Sequence, residues 1–135
     1  MTRFPYVQMA VDQTSLSPRL PIELRFNEHA MRVQALVDTG STVNVLPYSV
    51  GIALGAVWEE QKTQVRLAGN LAQVEARGLL ITGFLPDVTP EPFDLVFAWA
   101  NSPQVPLLLG QINFFMTFNV CFYRDEAAFE VSARL

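Results

Sequence analysis

Apolar residues along the chain fall into many short runs separated by turns rich in Gly, Pro, Asn and Asp. In one of these runs Thr63, Val65 and Leu67 alternate with polar neighbours, which is the period-two pattern of a half-buried strand. Short strands with closely spaced turns are typical of all-β barrels. The pattern predicts an all-β, closed barrel-like domain with strands at 22–26, 31–37, 43–46, 58–67, 71–80, 81–85, 93–98, 105–109, 119–123 and 128–133.

One short C-terminal helix is predicted among these strands. After Gly110, the large apolar residues Ile112, Phe115 and Met116 recur at helical spacing. A stripe of this kind is typical of a helix that packs against a core. We therefore expect a helix over residues 111–118 with the stripe buried.

The remaining segments are predicted to connect these elements. Residues 47–55 favour a short helical turn that ends at Gly55, and the proline-rich stretch 86–92 favours a surface loop. Residues 1–20 favour an extended N-terminal arm. Because 135 residues suffice for one substantial core, residues 1–135 are predicted to form a single domain.

The strongest chemical signal is a carboxylate at the end of an apolar strand. Asp38 follows the stretch 33–37, and Thr39 and Gly40 continue the chain into a turn. A charged Asp at the end of a buried strand is costly unless hydrogen bonds or a shared proton stabilise it. The glycine lets backbone pass close by, and the hydroxyl of Ser41 is within local reach. The pattern predicts a pre-oriented catalytic carboxylate, although Asp-Thr-Gly is also a favourable turn sequence.

Composition removes most other chemistries. Only 16% of the residues are charged, the net charge is −4 and the basic residues are scattered, so nucleic acid is not an expected partner. His29 and Cys121 are the only residues of their types, which excludes nucleophile–histidine catalysis within one chain and a cysteine-based zinc site. We expect no metal and no organic cofactor. The absence of a signal-peptide pattern and of a membrane-length apolar run predicts a soluble, cytoplasmic protein with no membrane partner.

Two motifs together resemble the aspartic proteases, specifically the single-domain, retropepsin-like kind. The first is the sequence Leu-Val-Asp-Thr-Gly-Ser at residues 36–41, followed by the apolar strand 43–46. The second is Leu-Leu-Leu-Gly at residues 107–110, followed by the predicted helix. The resemblance covers about residues 20–131. It implies an acid-protease half whose flap hairpin is formed by the strands around Ala68-Gly69-Asn70.

The resemblance also implies a role for each site residue. Asp38 would be the catalytic carboxylate, Thr39 would brace the catalytic pair, and Gly40 would offer its carbonyl to the substrate backbone. A peptide would bind as an added strand between the flap and the floor of the site. The substrate-binding residues would be Leu36, Ser41, Thr42, Val45, Ala68, Gly69, Val105, Pro106 and Leu108.

Hydrolysis of a peptide by acid–base catalysis needs two groups, one to take a proton from water and one to donate a proton. Two carboxylates about 3 Å apart that share one proton can do both. This chain has a single Asp-Thr-Gly, so the second carboxylate must come from another copy. The sequence therefore predicts an aspartic endopeptidase that is active as a homodimer on peptide or protein substrates with apolar residues.

Some positions depart from the retropepsin pattern. Retropepsins often carry an Asp and an Arg that form an ion-pair network at the positions of Thr42 and Gln111, so that network is absent. Ser41 and the segment 115–131 are more similar to one lobe of a pepsin. We expect a weaker or differently arranged dimer. We also expect the hydroxyl of Ser41 to donate a hydrogen bond to Asp38, which would favour an acidic activity optimum.

Two alternatives to the endopeptidase stay open. The first is a catalytically inactive protease-like fold used for dimerisation or peptide binding, against which the intact motif at residues 38–41 argues. The second is an ordinary β-barrel binding domain with a chance motif, against which the second motif at residues 107–110 argues.

Overall fold

The structure, a computed structural model, describes residues 1–8 and 16–134. Within them the strands are β1 (Thr2–Pro5), β2 (Arg19–Phe26), β3 (His29–Val37), β4 (Asn44–Leu46), β5 (Gln64–Val65), β6 (Ala76–Phe84), β7 (Phe93–Ala100), β8 (Leu108–Leu109), β9 (Phe118–Tyr123) and β10 (Ala128–Ala133). The short helices are α1 (Tyr48–Ala53) and α2 (Phe114–Thr117), and single 3₁₀ turns occur at Trp58–Glu60, Gly69–Leu71 and Arg124–Glu126.

Six strands close into a barrel in the order β2-β3-β8-β4-β7-β6. The barrel closes because β6 pairs with β2, with Glu23 opposite Phe84 and Arg25 opposite Thr82. The short strand β5 pairs with the first residues of β6. The predicted all-β, closed barrel-like fold is confirmed, with two short helices where the sequence predicted one helix and one helical turn.

The barrel interior is filled by alternate residues of its strands. In β2, Leu20, Ile22 and Leu24 are buried, while the residues between them are partly exposed. This is the alternation expected of a strand with one face on a core, and it confirms the strand predicted at 22–26. The core includes an aromatic cluster, in which the rings of Trp58 and Trp99 pack edge to face with their centroids 5.2 Å apart.

A second, smaller apolar cluster lies apart from the main core. Its buried members come from four barrel elements and the segments beside them, namely Val45, Leu67, Ala76, Ala98, Ala100, Val105 and Leu108. Because β4 and β8 contribute to it, this cluster lies directly beneath the loop that carries the Asp-Thr-Gly motif.

The chain termini form a separate three-stranded sheet in the order β1-β10-β9. In it, Phe4 stacks on Phe129 at 5.5 Å. The predicted terminal hairpin is therefore present, and β1 lies within the segment predicted as an extended arm. Residues 9–15 of that arm lie outside the described residues, and the one-domain assignment stays a prediction. None of the helices in the described ranges is long and apolar enough to cross a membrane.

The strand predicted at 58–67 is reduced to β5, and the strand predicted at 71–80 begins only at Ala76 and continues through the strand predicted at 81–85 as far as Phe84. Residues 58–60 form a 3₁₀ turn, and the ladder between the two arms is limited to β5 and the start of β6. The guanidinium of Arg77 explains part of this, because it donates to the carbonyl oxygens of Trp58 at 2.9 Å and Gln61 at 3.3 Å. Those carbonyls are therefore engaged outside any strand ladder.

The predicted helix at 111–118 is also shorter, and its predicted buried stripe is wrong in part. Side chains of Ile112 and Met116 are 54% and 64% exposed, whereas Phe114 is fully buried. The helix begins late because Asn113 has a φ of 81° and its side-chain oxygen accepts a hydrogen bond from the backbone N–H of Val96 at 3.1 Å. Because Asn113 is held against β7 in this non-helical conformation, the helix begins only at Phe114.

Candidate active site

Asp38 follows the last residue of β3 and therefore lies at one end of the barrel. Strand β8 lies between β3 and β4, parallel to β3 with Leu36 opposite Leu108, and antiparallel to β4 with Val45 opposite Leu108. The loop 38–43 must therefore pass around the end of β8. This crossing brings the two sequence motifs into direct contact.

Backbone hydrogen bonds tie that loop to the residues that follow β8. The N–H of Asp38 donates to the carbonyl of Leu109 at 3.0 Å, and the N–H of Gln111 donates to the carbonyl of Ser41 at 2.9 Å. Gly110 permits this approach, since a Cβ there would lie 2.5 Å from the carbonyl oxygen of Val43. A side chain at residue 110 is therefore incompatible with the loop as it stands.

A buried amide reinforces the same junction. The side chain of Asn44 is fully buried; its oxygen accepts from the N–H of Gly110 at 2.8 Å, and its nitrogen donates to the side-chain oxygen of Asn113 at 2.8 Å and the carbonyl of Val96 at 3.0 Å. Because every polar atom of this amide is satisfied, its burial stabilises a single arrangement of the three strands. Sequence reasoning missed Asn44, although a polar residue inside an apolar strand was the available signal.

The carboxylate of Asp38 is held by its own turn. Its Oδ1 accepts a hydrogen bond from the N–H of Gly40 at 2.9 Å, and the residue is partly exposed. The carbonyl of Asp38 accepts from the N–H of Ser41 at 3.1 Å, which closes the turn. Only one of these bonds engages the carboxylate, so its second oxygen stays available to a ligand or water in the opening above it.

Two side-chain hydrogen bonds in this turn differ from expectation. The hydroxyl of Ser41 donates to the carbonyl of Val43 at 2.6 Å, so the predicted donation from Ser41 to Asp38 is wrong. The hydroxyl of Ser41 is close in sequence to Asp38, but the carbonyl of Val43, two residues further on, accepts its hydrogen bond instead. Gln111 donates through its side-chain amide to the carbonyl of Thr39 at 2.6 Å. A neutral amide thus braces the motif at a position where retropepsins often carry an Arg.

Asp38 opens into a cleft of about 600 Å³. The structure brings eight of the sequence-predicted site residues to its lining, which are Asp38, Gly40, Ser41, Thr42, Val45, Ala68, Gly69 and Leu108. One wall is therefore the motif loop and the opposite wall is the segment 66–71. The floor is apolar, because Val45 and Leu108 belong to the second apolar cluster. A partly exposed carboxylate above an apolar floor suits the hydrolysis of an extended peptide better than binding of a metal or a phosphate.

The other predicted site residues lie elsewhere. Thr39 and Leu36 line a second recess of about 340 Å³, which Asp38 also borders. Val105 is buried in the second apolar cluster and Pro106 is exposed, and neither lines the cleft. Residues of the cleft that sequence reasoning missed are Val43, Arg66, Leu67, Asn70 and Leu71. Most of them flank the predicted flap tip, so a wider reading of that segment would have included them.

Comparison with known proteins supports the fold. Neither a protein-family model nor a curated protein matches this chain. Among solved structures, the chain is similar to the crystal structure of a retropepsin-like aspartic protease from Rickettsia conorii, with a TM-score of 0.59 and 12% identity. The match covers 97% of this chain and 98% of that one.

The chain has a retropepsin-like fold. Because both chains are covered almost completely, the likeness extends to the terminal sheet as well as the barrel. At 12% identity it concerns the fold, and the chemistry has to be argued from the residues of the cleft.

Proposed function

We propose that this chain is an aspartic endopeptidase that cleaves extended peptide segments carrying apolar residues. The observation that carries the proposal is the position of Asp38 in the wall of the cleft, where the N–H of Gly40 orients its carboxylate. The retropepsin-like fold supports the same assignment. A carboxylate on a turn braced by neighbouring strands is pre-organised, which is what proton transfer in a transition state requires.

The working enzyme would be a homodimer with one Asp38 from each chain. Within residues 1–8 and 16–134, Asp38 is the one carboxylate that lines the cleft, and one carboxylate cannot act as base and acid at once. Asp38 also borders the recess lined by Pro18 and Phe122, so it can be approached from that recess as well as from the cleft. A two-fold related copy on that side would supply the second carboxylate.

In that arrangement the pair shares one proton and holds a water between the two carboxylates. One carboxylate takes a proton from the water as it attacks the scissile carbonyl carbon. The other donates its proton to the carbonyl oxygen, which gives a tetrahedral intermediate with two hydroxyl groups. As the C–N bond breaks, the first carboxylate gives the proton it took to the leaving nitrogen, and the second takes a hydroxyl proton from the intermediate, which restores the shared proton. The segment 66–71 would cover the peptide as a flap, and Thr39 would brace the pair.

The test is the substitution Asp38→Asn, with Asp125→Asn as the matched control. Asp125 lies in an exposed 3₁₀ turn and lines neither the cleft nor the recess beside it, so its variant changes the same charge outside the site. Loss of acid–base catalysis is worth about 10² to 10⁴ in rate, so we expect Asp38→Asn to fold and lose nearly all cleavage of an unfolded protein. Retention of more than about a tenth of the wild-type turnover would contradict the proposal.

The alternative is a protease-like domain that binds peptides without cleaving them. It predicts no products from the wild-type chain at any pH between about 4 and 7, which is roughly the range in which carboxylate pairs act. It also predicts that wild type and Asp38→Asn bind peptides with equal affinity. The endopeptidase predicts products that a statine-type transition-state analogue suppresses.

A further inference from the structure

One wall of the cleft carries a positive charge that the catalytic proposal does not use. Arg66 follows β5 and lines the cleft that contains Asp38. The other residues of the lining are apolar or uncharged. Arg66 and Asp38 are therefore the two charged groups that an extended peptide would meet there.

The guanidinium of Arg66 has no partner among the residues that the structure describes. It is exposed, and within the described ranges it makes no hydrogen bond, ion pair or ring contact. Glu75 lines the recess behind the same segment, but its carboxylate pairs with Arg77 at 3.3 Å. Similarly, Arg25 is paired with Glu23 and lies over the ring of Phe84.

A free guanidinium beside a cleft favours a carboxylate ligand. Its planar donors match the two oxygens of a carboxylate, and the bond strengthens when water is displaced from a partly enclosed groove. Although the chain has a net charge of −4, Arg66 places a positive charge at the cleft, and this charge favours an acidic segment there. The apolar floor formed with Val45 and Leu108 would hold apolar side chains of the same peptide.

We infer that Arg66 is a specificity-determining residue, which binds an Asp or Glu side chain of the substrate peptide near the apolar residues held at the cleft floor. The predicted effect of Arg66 on cleavage kinetics rests on the proposed endopeptidase function. The inference itself concerns binding, however, so it is also testable in a chain that does not cleave.

The experiment uses a library of peptides with an apolar centre, each made in three versions that carry Glu, Gln or Lys at one flanking position. Wild type, Arg66→Gln and Arg66→Glu are compared, with Arg32→Gln as the matched control. Arg32 is also exposed and has no partner in the described part of the chain, but it lies on β3 at a groove that shares no residue with the cleft. Thermal unfolding checks that all variants fold.

For at least one position we expect wild type to prefer the Glu peptide over the Gln peptide by about two- to fivefold in kcat/KM. The difference should appear mainly in KM, because the ion pair is made equally in the bound substrate and the transition state. Arg66→Gln should abolish the preference, Arg66→Glu should shift it to the Lys peptide, and Arg32→Gln should leave it unchanged. High salt should reduce it.

Binding of fluorescent versions of the same peptides to Asp38→Asn separates this inference from the catalytic proposal. A preference for Glu that disappears in the Asp38→Asn, Arg66→Gln double variant supports the role of Arg66 even if wild type cleaves nothing. Cleavage without any charge preference, a preference that survives Arg66→Gln, or no binding of any peptide would overturn it.

Discussion

Replacing Gly110 with Ala tests whether close packing at the crossing of the two motifs creates the site. An added Cβ would lie 2.5 Å from the carbonyl oxygen of Val43 and 2.6 Å from that of Ser41. Both are backbone atoms, so neither can rotate away as the end of a side chain would. Restoring ordinary contact requires the loop 38–43 and the end of β8 to separate by about 1 Å.

The stability cost follows from the contacts at that point. Overpacking of this kind costs about 1–3 kcal/mol. Separation also stretches the hydrogen bond from Gly110 to Asn44 and the bond from Gln111 to Ser41, each worth about 0.5–1.5 kcal/mol. We therefore expect Gly110→Ala to lower the free energy of unfolding by about 2–4 kcal/mol. The corresponding fall in Tm is on the order of 10 °C for a chain of this size.

Activity should fall as well. A displacement of about 1 Å at a catalytic group can cost about 10² in rate, because the carboxylate no longer meets water and substrate in a productive geometry. We expect a loss of that order in kcat at temperatures at which the variant is still folded. Denaturant unfolding monitored by circular dichroism gives the free energy of unfolding, and cleavage of a fluorogenic peptide gives kcat.

Gly78 provides the matched control for this experiment. It lies in β6, where an added Cβ would be 3.7 Å from Cβ of Thr63 and 3.9 Å from Cγ2 of Val65, which is ordinary contact. Gly78→Ala should therefore be neutral or stabilise by up to about 1 kcal/mol through the unfolded chain. If Gly110→Ala matches Gly78→Ala in stability, the packing argument is refuted, whatever the chain's activity proves to be.

Two further predictions concern the hydroxyl at the motif and the dimer. Ser41→Ala removes the hydrogen bond to the carbonyl of Val43 and should lower the free energy of unfolding by about 0.5–1.5 kcal/mol, measured by denaturant titration against the exposed-site control Ser49→Ala. Because that hydroxyl does not donate to Asp38, the pH–rate profile of Ser41→Ala should overlay that of wild type, and a shift of either limb would show that the bond changes partner in the working enzyme. Specific activity should fall on dilution through the dimer dissociation constant, in parallel with the mass measured by sedimentation. Constant activity per chain in a sample shown to be monomeric would rule out a site built from two copies.

Much of the candidate site was predictable because its features are local in the chain. The apolar strand before Asp38, the glycine two residues later and the hydrogen bond that joins them all lie within a few residues. Alternation in β2 likewise predicts a strand with one buried face, since the period depends only on neighbouring residues. The all-β, barrel-like fold was predictable because many short strand patterns of this kind occur along the chain.

The lengths of elements were decided by contacts between distant residues. Arg77 binds the carbonyls of Trp58 and Gln61, which shortens the first of the two predicted flap strands. Asn113 is fixed to β7 through Val96, which delays the start of α2 and exposes Met116. No local pattern distinguishes these side chains from ordinary surface residues, because the partner of each is known only once the barrel has closed.

The sequence by itself determined the chemistry that this protein can present, which is one carboxylate on a glycine turn with no histidine or cysteine couple beside it. Tertiary structure alone decided what surrounds that carboxylate. Insertion of β8 between β3 and β4 brings Gly110 against the motif loop and buries Asn44 at their junction. The same closure leaves Arg66 at the cleft without a partner among the described residues, because Glu75, which lines the same recess, pairs with Arg77 instead. Pairing of charges depends on which strands lie side by side, and that is a property of the closed barrel.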